Sequence, residues 1–248
     1  MVAWRLQAFD SLDSTNEEIR RQAETGAAEG LAVLARAQTA GRGRRGRAWE
    51  SPPGNLFLSL LLRPKATPAE AATLSFLTAV ALLEALDLAG PSAKLTCKWP
   101  NDVLVNGAKI AGILLESRTG SDGALGWVTV GIGVNLAWHP PLGQLAGTPY
   151  PVTSLAAHGV TTAPEEFTNW LLARYGYWYG RWQAEGFAPV RAAWLARAQG
   201  LGQPVIVRLP DSELHGVFVA LDDSGALLLE LPDGRRQTVT AGDVFPAG

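Results

Sequence analysis

The chain has 248 residues with a formal net charge of −2, and 47% of its residues are hydrophobic. This length suits one large domain, or one large and one small domain, and the composition is that of a folded core rather than of a disordered chain. A nearly neutral chain is also a poor candidate for a general nucleic-acid binder, whose whole face would be basic.

The cysteine content and the lengths of the apolar runs indicate the cellular compartment of the protein. The single cysteine, Cys97, excludes internal disulfides and zinc clusters of several thiolates, and is typical of a reducing compartment. No stretch reaches the roughly 18 uninterrupted apolar residues of a membrane span, and no signal peptide precedes the first predicted strand. We therefore expect a cytoplasmic protein with no membrane partner.

The first predicted elements are a strand over residues 2–9, a helix that runs to about residue 23, and a strand over residues 31–37. Ser14 and Glu17 have the spacing of a capping box at the start of the helix. The Ser14-Thr15-Asn16 cluster could instead read a neutral polar ligand group, and the sequence leaves both interpretations open. Gln38 follows the second strand at its carboxyl end, where ligand residues gather in open sheets.

Residues 41–47, here called the arginine loop, read Gly-Arg-Gly-Arg-Arg-Gly-Arg. Four guanidinium groups between three glycines predict a mobile loop that closes on an anion. A solvated basic loop and a nucleic-acid patch are the alternatives. The glycines match G-x-G-x-x-G, but Pro52-Pro53-Gly54 follows where a dinucleotide-binding fold needs a helix. Trp49 is either a core aromatic or a lid that stacks on a purine.

The middle of the chain predicts a core helix over residues 68–87, a strand over residues 94–99, and a hairpin whose turn is Asn106-Gly107. Pro100 ends the strand and presents Asn101 and Asp102 together. Lys109 opens an apolar strand. One interpretation is a surface lysine whose methylene chain lies along apolar neighbours. The other is a lysine on which anionic groups converge.

The remaining elements are a strand over residues 127–136, helices over residues 165–184 and 189–198, and a run of short strands from about residue 200. Gly131 and Gly133 inside the strand indicate close approach of a ligand or another backbone, or packing against a helix. A Pro-rich loop is predicted for residues 139–151, and no histidine has the neighbours of a triad or metal site. The final 48 or so residues predict a small barrel that docks on the larger domain.

Six short motifs occur in one order along the chain. They are Ser14-Thr15-Asn16, Gln38-Thr39 with the arginine loop and Trp49, Pro53-Gly54-Asn55-Leu56, Lys98-Trp99-Pro100-Asn101-Asp102, Lys109-Ile110-Ala111-Gly112-Ile113-Leu114, and Gly131-Ile132-Gly133-Val134-Asn135. Together they resemble the biotin protein ligases over nearly the whole chain. The resemblance implies an α+β fold of the class II aminoacyl-tRNA synthetase and biotin ligase type. Residues 1–199 would form a mixed β-sheet flanked by helices, and residues 200–248 an SH3-like β-barrel.

The resemblance also implies a reaction. Such enzymes activate biotin with ATP and Mg²⁺ to biotinyl-5′-adenylate, and then transfer biotin to one lysine of the biotin carboxyl carrier protein of acetyl-CoA carboxylase or a related carboxylase. The chain shows no N-terminal DNA-binding segment, so we expect a ligase without a nucleic-acid partner. A homodimer is plausible by family analogy. The alternatives are a lipoate or octanoate protein ligase and, from another class, a DNA-binding regulator that uses the arginine loop.

Site residues are implied by the matching motifs. Those for biotin are Ser14, Thr15, Asn16, Gln38, Gly41, Arg42, Lys109 and Gly112. Those for ATP or the adenylate are Arg42, Gly43, Arg44, Trp49, Asn101, Lys109 and Asn135. The catalytic residues would be Lys109, Arg44 and Asp102, with Asp102 either a base toward the incoming lysine or a structural group. No residue is assigned to metal binding, because Mg²⁺ is expected on the ATP phosphates and water.

Overall fold

A mixed sheet of seven strands forms the centre of the computed structural model, which describes residues 2–121, 123–141 and 151–247. Its strands are β1 (Arg5–Leu12), β2 (Leu31–Gln38), β3 (Leu56–Leu62), β4 (Leu95–Lys98), β5 (Asp102–Val105), β6 (Ala108–Thr119) and β7 (Leu125–Val134). Their order is β1-β2-β3-β7-β6-β5-β4, and β1 and β2 are parallel while the other described pairs are antiparallel. The predicted α+β class and mixed sheet are confirmed.

The helices cover both faces of this sheet. They are α1 (Thr15–Glu24), α2 (Pro68–Ala72), α3 (Leu74–Ala89), α4 (Pro164–Glu185) and α5 (Ala188–Leu195). α3 and α4 pack on one face in a large apolar cluster, and α1 covers the other face above a smaller one that includes Ile19, Val33 and Trp127. Pro68–Ala89 is long and apolar enough to cross a membrane, but 72% of its most apolar window is buried inside the protein, as in a core helix.

The single helix predicted over residues 68–87 is two helices in the structure. The break falls at Thr73, whose hydroxyl donates to the Glu70 carbonyl and accepts a hydrogen bond of 2.9 Å from Trp182 Nε1 of α4. These bonds hold the junction in place against the neighbouring helix. A Thr67–Glu70 capping box opens α2 and was missed in the sequence.

Two connections between neighbouring strands position residues of the predicted motifs. Parallel pairing of β1 with β2 runs to Leu12↔Gln38, so the start of α1 lies beside the carboxyl end of β2. The predicted hairpin between β5 and β6 is confirmed, and Asn106 and Gly107 have the positive φ angles, 49° and 80°, that a tight turn of this kind requires. The predicted loop over residues 139–151 lies largely outside the described residues.

A second sheet of five strands follows. Its strands are β8 (Pro204–Arg208), β9 (Glu213–Leu221), β10 (Leu227–Glu230), β11 (Arg236–Val239) and β12 (Asp243–Pro246), in the order β11-β10-β9-β8-β12. This sheet is consistent with the predicted SH3-like domain. It is not a closed barrel among the described residues, because β11 and β12 lie at opposite ends of the sheet and do not pair with each other. The sequence also missed β12. The predicted docking is present: Trp99 Nε1 donates to the Gly225 carbonyl at 3.0 Å, and Phe76 packs against Gly225.

Candidate active site

A cavity of about 400 Å³ opens where the start of α1 and the ends of several strands meet. The residues that line it include Ser14, Thr15, Asn16, Gln38, Arg42, Gly43, Arg44, Trp49, Lys98, Asn101, Asp102, Lys109, Gly112, Asn135 and Asp243. The structure therefore brings together on one cavity every predicted site residue except Gly41. That residue lies just behind it, where an added Cβ would meet the Trp49 carbonyl and Ser51 Oγ.

Neutral polar groups form one end of the cavity. Ser14, Thr15 and Asn16 begin α1 and are buried. Gln38 Oε1 accepts hydrogen bonds from the Thr15 backbone N–H at 2.8 Å and from Thr15 Oγ1 at 3.1 Å, while Gln38 Nε2 donates to Ser51 Oγ at 3.0 Å. Such a wall suits a neutral ligand group with its own donors and acceptors. We call these four residues, Ser14, Thr15, Asn16 and Gln38, the polar wall.

The predicted capping box at Ser14 and Glu17 is wrong. Ser14 is the residue that caps α1 by position, yet its side chain makes no capping hydrogen bond. The Glu17 carboxylate instead receives Arg42 of the arginine loop and Arg20 of the same helix, and these two arginines lower the pKa of Glu17. The Ser14 hydroxyl is therefore not used to cap α1, which favours the ligand interpretation of the motif.

Two residues behind the polar wall were not found in the sequence. Ser59 of β3 is fully buried, and its Oγ lies 2.7 Å from Thr15 Oγ1 and 2.6 Å from Asn16 Oδ1. Glu116 of β6 accepts a hydrogen bond of 2.7 Å from Asn16 Nδ2. A single serine in the otherwise apolar run Leu56–Leu62 is the sequence signal that could have identified Ser59.

The arginine loop has a defined conformation in this structure. Arg44–Gly46 forms a single 3-10 turn, closed by a bridge between Arg42 and Ala48. Arg42 contacts the carboxylates of Glu17 and Glu116 near the polar wall. Arg44 instead reaches the opposite side and donates to Asn101 Oδ1 at 2.9 Å, and burial lowers the pKa of its guanidinium from the usual value. The two arginines thus serve different ends of the cavity.

The rest of the loop meets the second sheet. Arg45 Nη1 and Arg47 Nη2 lie 3.2 and 3.5 Å from Asp243 Oδ2, at the start of β12. Because β12 was missed in the sequence, this contact could not be predicted. It makes one carboxylate of the second sheet a neighbour of the cavity.

Trp49 lies across the cavity beside two glycines. A Cβ added to Gly133 would come within 2.6 Å of the indole, and one added to Gly112 within 3.0 Å. Lys109 Nζ is 5.5 Å from the ring centroid, and the indole Nε1 is buried with no hydrogen-bond partner in the described part of the chain. Both glycines are therefore needed for the ring to lie flat against β6 and β7. The close approach predicted at Gly133 is therefore made by the Trp49 side chain, which lines the cavity.

Three charged groups form the other end of the cavity. Asp102 Oδ2 lies 2.9 Å from Lys98 Nζ, and Asp102 Oδ1 lies 2.6 Å from Lys109 Nζ. Burial by itself raises the pKa of the Asp102 carboxyl, but the nearby ammonium groups of Lys109 and Lys98 outweigh it and lower the pKa to about 2. We call Lys98, Asp102 and Lys109 the charged triad; it leaves a net positive charge beside Arg44.

Asn101 and Asn135 hold backbone as well as lining the cavity. Asn101 Nδ2 donates to the Ile113 carbonyl at 2.7 Å while its Oδ1 receives Arg44. Asn135 Nδ2 donates to the Thr153 carbonyl at 3.0 Å. These bonds fix Asn101 as the link between the arginine loop and β6, and Asn135 as a tie between the end of β7 and residue 153.

Residues 2–121, 123–141 and 151–247 contain no group of three or more His, Cys, Asp or Glu side chains that could hold a metal ion. Cys97 is buried on β4 and its thiol contacts the Trp194 and Arg197 carbonyls, and burial raises its pKa.

The sequence matches two protein-family models. The model described as "Biotin/lipoate A/B protein ligase family" matches residues 8–135, and the model described as "Biotin protein ligase C terminal domain" matches residues 200–245. The first match spans both ends of the cavity, which puts the chain in the class of biotin and lipoate protein ligases.

Individual relatives narrow this class. The biotin--[acetyl-CoA-carboxylase] ligase of Paracoccus denitrificans is 50% identical over 238 residues, which cover 95% of this chain and 98% of the relative. The bifunctional ligase/repressor BirA of Escherichia coli is 33% identical and is covered over 71% of its length. A biotin protein ligase from Aquifex aeolicus, solved in complex with biotin and ATP, superposes with a TM-score of 0.80 at 26% identity over 97% of both chains. The chain therefore belongs to the biotin protein ligase family.

Proposed function

We propose that this protein activates biotin with ATP and transfers it to a lysine of a biotin carboxyl carrier protein. The observation that carries the proposal is the division of one cavity into a neutral polar wall and the cationic end formed by the charged triad and Arg44. Biotin has the matching division, because its ureido ring is neutral and its carboxylate is anionic.

In the first reaction, a biotin carboxylate oxygen bonds to the α-phosphorus of ATP, and pyrophosphate leaves. Two anions must meet, so cations at the meeting point lower the barrier. Lys109 is the residue we assign to this point, because its ammonium lies between Asp102 and the Trp49 ring inside the cavity. Arg44 and Asn101 would hold the phosphate side, and Arg42 with the polar wall the ureido side.

In the second reaction, the carrier lysine amine attacks the carbonyl of the adenylate, an amide bond forms, and AMP leaves. The attacking amine must lose a proton. A carboxyl with a pKa of about 2 is a weak base toward an ammonium group. We therefore assign Asp102 to holding Lys98 and Lys109 in place rather than to removing this proton.

Mg²⁺ fits the site only as a companion of ATP. Three carboxylates line the cavity: Asp102 is engaged by Lys98 and Lys109, Asp243 by Arg45 and Arg47, and Glu50 belongs to no group of acidic side chains that could hold a metal ion among the described residues. Magnesium would be held by the phosphates and water, and would supply charge neutralisation to the triphosphate.

Location and assembly are part of the proposal. A cytoplasmic setting agrees with a reduced, buried Cys97 and with a reaction that consumes ATP. We propose no nucleic-acid partner.

A homodimer stays a prediction: β1 is the end strand of its sheet and pairs only with β2 among the described strands, which leaves an edge for a second copy. Sedimentation of the protein with and without biotin and ATP would measure it.

The test of the function is mass spectrometry after incubation with ATP, Mg²⁺ and one acid. Biotin should give biotinyl-adenylate and pyrophosphate, and addition of a carrier domain should give a biotinylated lysine. Lipoate and octanoate are the controls. An adenylate formed with either of these acids and not with biotin would replace the proposal by a lipoate-type ligase, and no adenylate with any acid would refute ligase activity.

A further inference from the structure

Ser59 is a buried hydroxyl in an otherwise apolar strand. β3 reads Leu-Phe-Leu-Ser-Leu-Leu-Leu from Leu56 to Leu62, and every residue in it is buried. Placing a hydroxyl there costs free energy unless its hydrogen bonds are made. Its contacts, Thr15 Oγ1 and Asn16 Oδ1, both belong to the polar wall.

A count of protons limits the direction of these contacts. Asn16 Nδ2 donates to the Glu116 carboxylate, so the atom facing Ser59 is the carbonyl oxygen Oδ1, which can only accept. Ser59 has one proton and must give it to Asn16 at 2.6 Å. The Thr15 proton then goes either to Ser59 Oγ at 2.7 Å or to Gln38 Oε1 at 3.1 Å, and both acceptors are protein atoms.

The consequence is a fixed polarity on the ligand side. With its proton directed inward, Thr15 Oγ1 presents lone pairs to the cavity and accepts from a ligand N–H. Asn16 cannot flip, because Ser59 and Glu116 hold its two polar atoms and Gly131 lies against its face, where an added Cβ would come within 2.4 Å of Oδ1.

We propose that Ser59 is a positioning residue: it orients the Thr15 hydroxyl and the Asn16 amide so that the polar wall matches the donors and acceptors of the biotin ureido ring. This inference rests on the proposed function, since biotin is the ligand that the wall would read. Ser59 itself lies behind Thr15 and Asn16 and needs no contact with the ligand.

The experiment measures the dissociation constant of biotin by calorimetry for the wild type, Ser59→Ala and Thr129→Val. Thr129 is the matched control: it lies on the neighbouring strand β7, is 1% exposed, and its hydroxyl has no hydrogen-bond partner in the described residues. We expect Ser59→Ala to weaken biotin binding about 10- to 100-fold. Thr129→Val should bind biotin as the wild type does. The KM for ATP should change less than about 2-fold in both variants.

A double-mutant cycle separates positioning from general damage to the fold. If Ser59 acts through Thr15, then Ser59→Ala in a Thr15→Val background should cost clearly less than in the wild type, because the hydroxyl it orients is already gone. If Ser59→Ala does not fold, Ser59→Cys and Thr15→Val give the same cycle. Equal biotin affinity of wild type and the Ser59 variant, or additive losses in the cycle, would overturn the inference alone. Absence of biotin binding by the wild type would overturn the proposed function and this inference together.

Discussion

Lys109 Nζ lies 2.6 Å from Asp102 Oδ1, on the wall of the cavity that faces the arginine loop. The other oxygen of the same carboxylate holds Lys98 at 2.9 Å. Asp102 and Lys98 are almost fully buried, whereas the Lys109 side chain keeps 21% of its surface exposed. The arrangement points one ammonium group into the cavity and uses the other two members of the triad to support it.

Asp102→Asn tests this support. The variant leaves two neighbouring ammonium groups without their shared carboxylate, and loss of one partner from a buried charge pair typically costs about 3–5 kcal/mol. We expect a fall in the free energy of unfolding of that order, together with slower adenylate formation. Urea unfolding and pyrophosphate release measure the two effects. Asp10→Asn is the control, because the Asp10 side chain is 96% exposed and its ion pair with Arg36 is long, at 3.8 Å. Equal stability of both variants would contradict the supporting role.

Lys109→Ala removes the exposed member of the triad. Because we assign its charge to the point where the biotin carboxylate and the α-phosphate would meet, we expect adenylate formation to fall about 100- to 1,000-fold. The fold should persist, since Asp102 keeps Lys98. The measurement is the rate of pyrophosphate release at saturating biotin and ATP, with circular dichroism as the check of folding. Lys65→Ala, on an exposed lysine away from the cavity, should have wild-type activity. A folded Lys109→Ala that forms adenylate at the normal rate would remove this residue from the mechanism.

Arg44→Ala tests retention of the intermediate. Arg44 is held by Asn101 at 2.9 Å, and charge-assisted bonds to the adenylate would be lost with its side chain. We expect biotinyl-adenylate to escape into solvent about 10-fold faster in single-turnover experiments, measured as adenylate that passes a filter. Arg36→Ala is the control, because the Arg36 side chain is 71% exposed on β2. Retention of the adenylate equal to that of the wild type would show that Arg44 does not hold it.

The sequence predicted the residues of the site better than their partners. Short motifs indicate Thr15, Asn101 and Lys109 because each stands at the end of a recognisable element. Their partners come from distant parts of the chain: Ser59 reaches Thr15 across 44 residues and Asp243 reaches Arg45 across 198. Such pairs depend on strand order, and local spacing carries no information about strand order.

The errors in the predicted elements have the same origin. The Ser14–Glu17 spacing satisfies a capping rule, but the Arg42 guanidinium of the arginine loop binds the Glu17 carboxylate instead. The Thr73 break depends on Trp182, which lies on another helix. The number of short strands predicts a small SH3-like domain but not whether its sheet closes, because closure requires the end strands to pair, and β12 was not recognised.

The contact of Asp243 with the arginine loop should be sensitive to salt. Exposed ion pairs of this kind contribute about 0.2–1 kcal/mol and are screened by ions. We expect Asp243→Asn to change the KM for ATP no more than about 5-fold at low ionic strength, and the difference from wild type to disappear near 1 M salt. Glu185→Gln at the end of α4, which pairs with Arg181 of the same helix, is the control. A difference that persists at high salt would mean that Asp243 acts by another route.

The ionisation of Asp102 sets a pH dependence of stability. Its pKa is about 2 in the folded protein and close to 3.9 in an unfolded chain, so folding favours the ionised form. The contribution is therefore complete above about pH 5 and is lost as the pH falls through 4 toward 2. We expect the difference in free energy of unfolding between wild type and Asp102→Asn to be constant from about pH 5 to 8 and to shrink below about pH 4, since a protonated carboxyl resembles the amide. Urea titrations of the pair at each pH measure it, with Asp10→Asn expected to follow the wild type throughout. A difference that grows on acidification would reverse the sign and refute the charge assigned to Asp102.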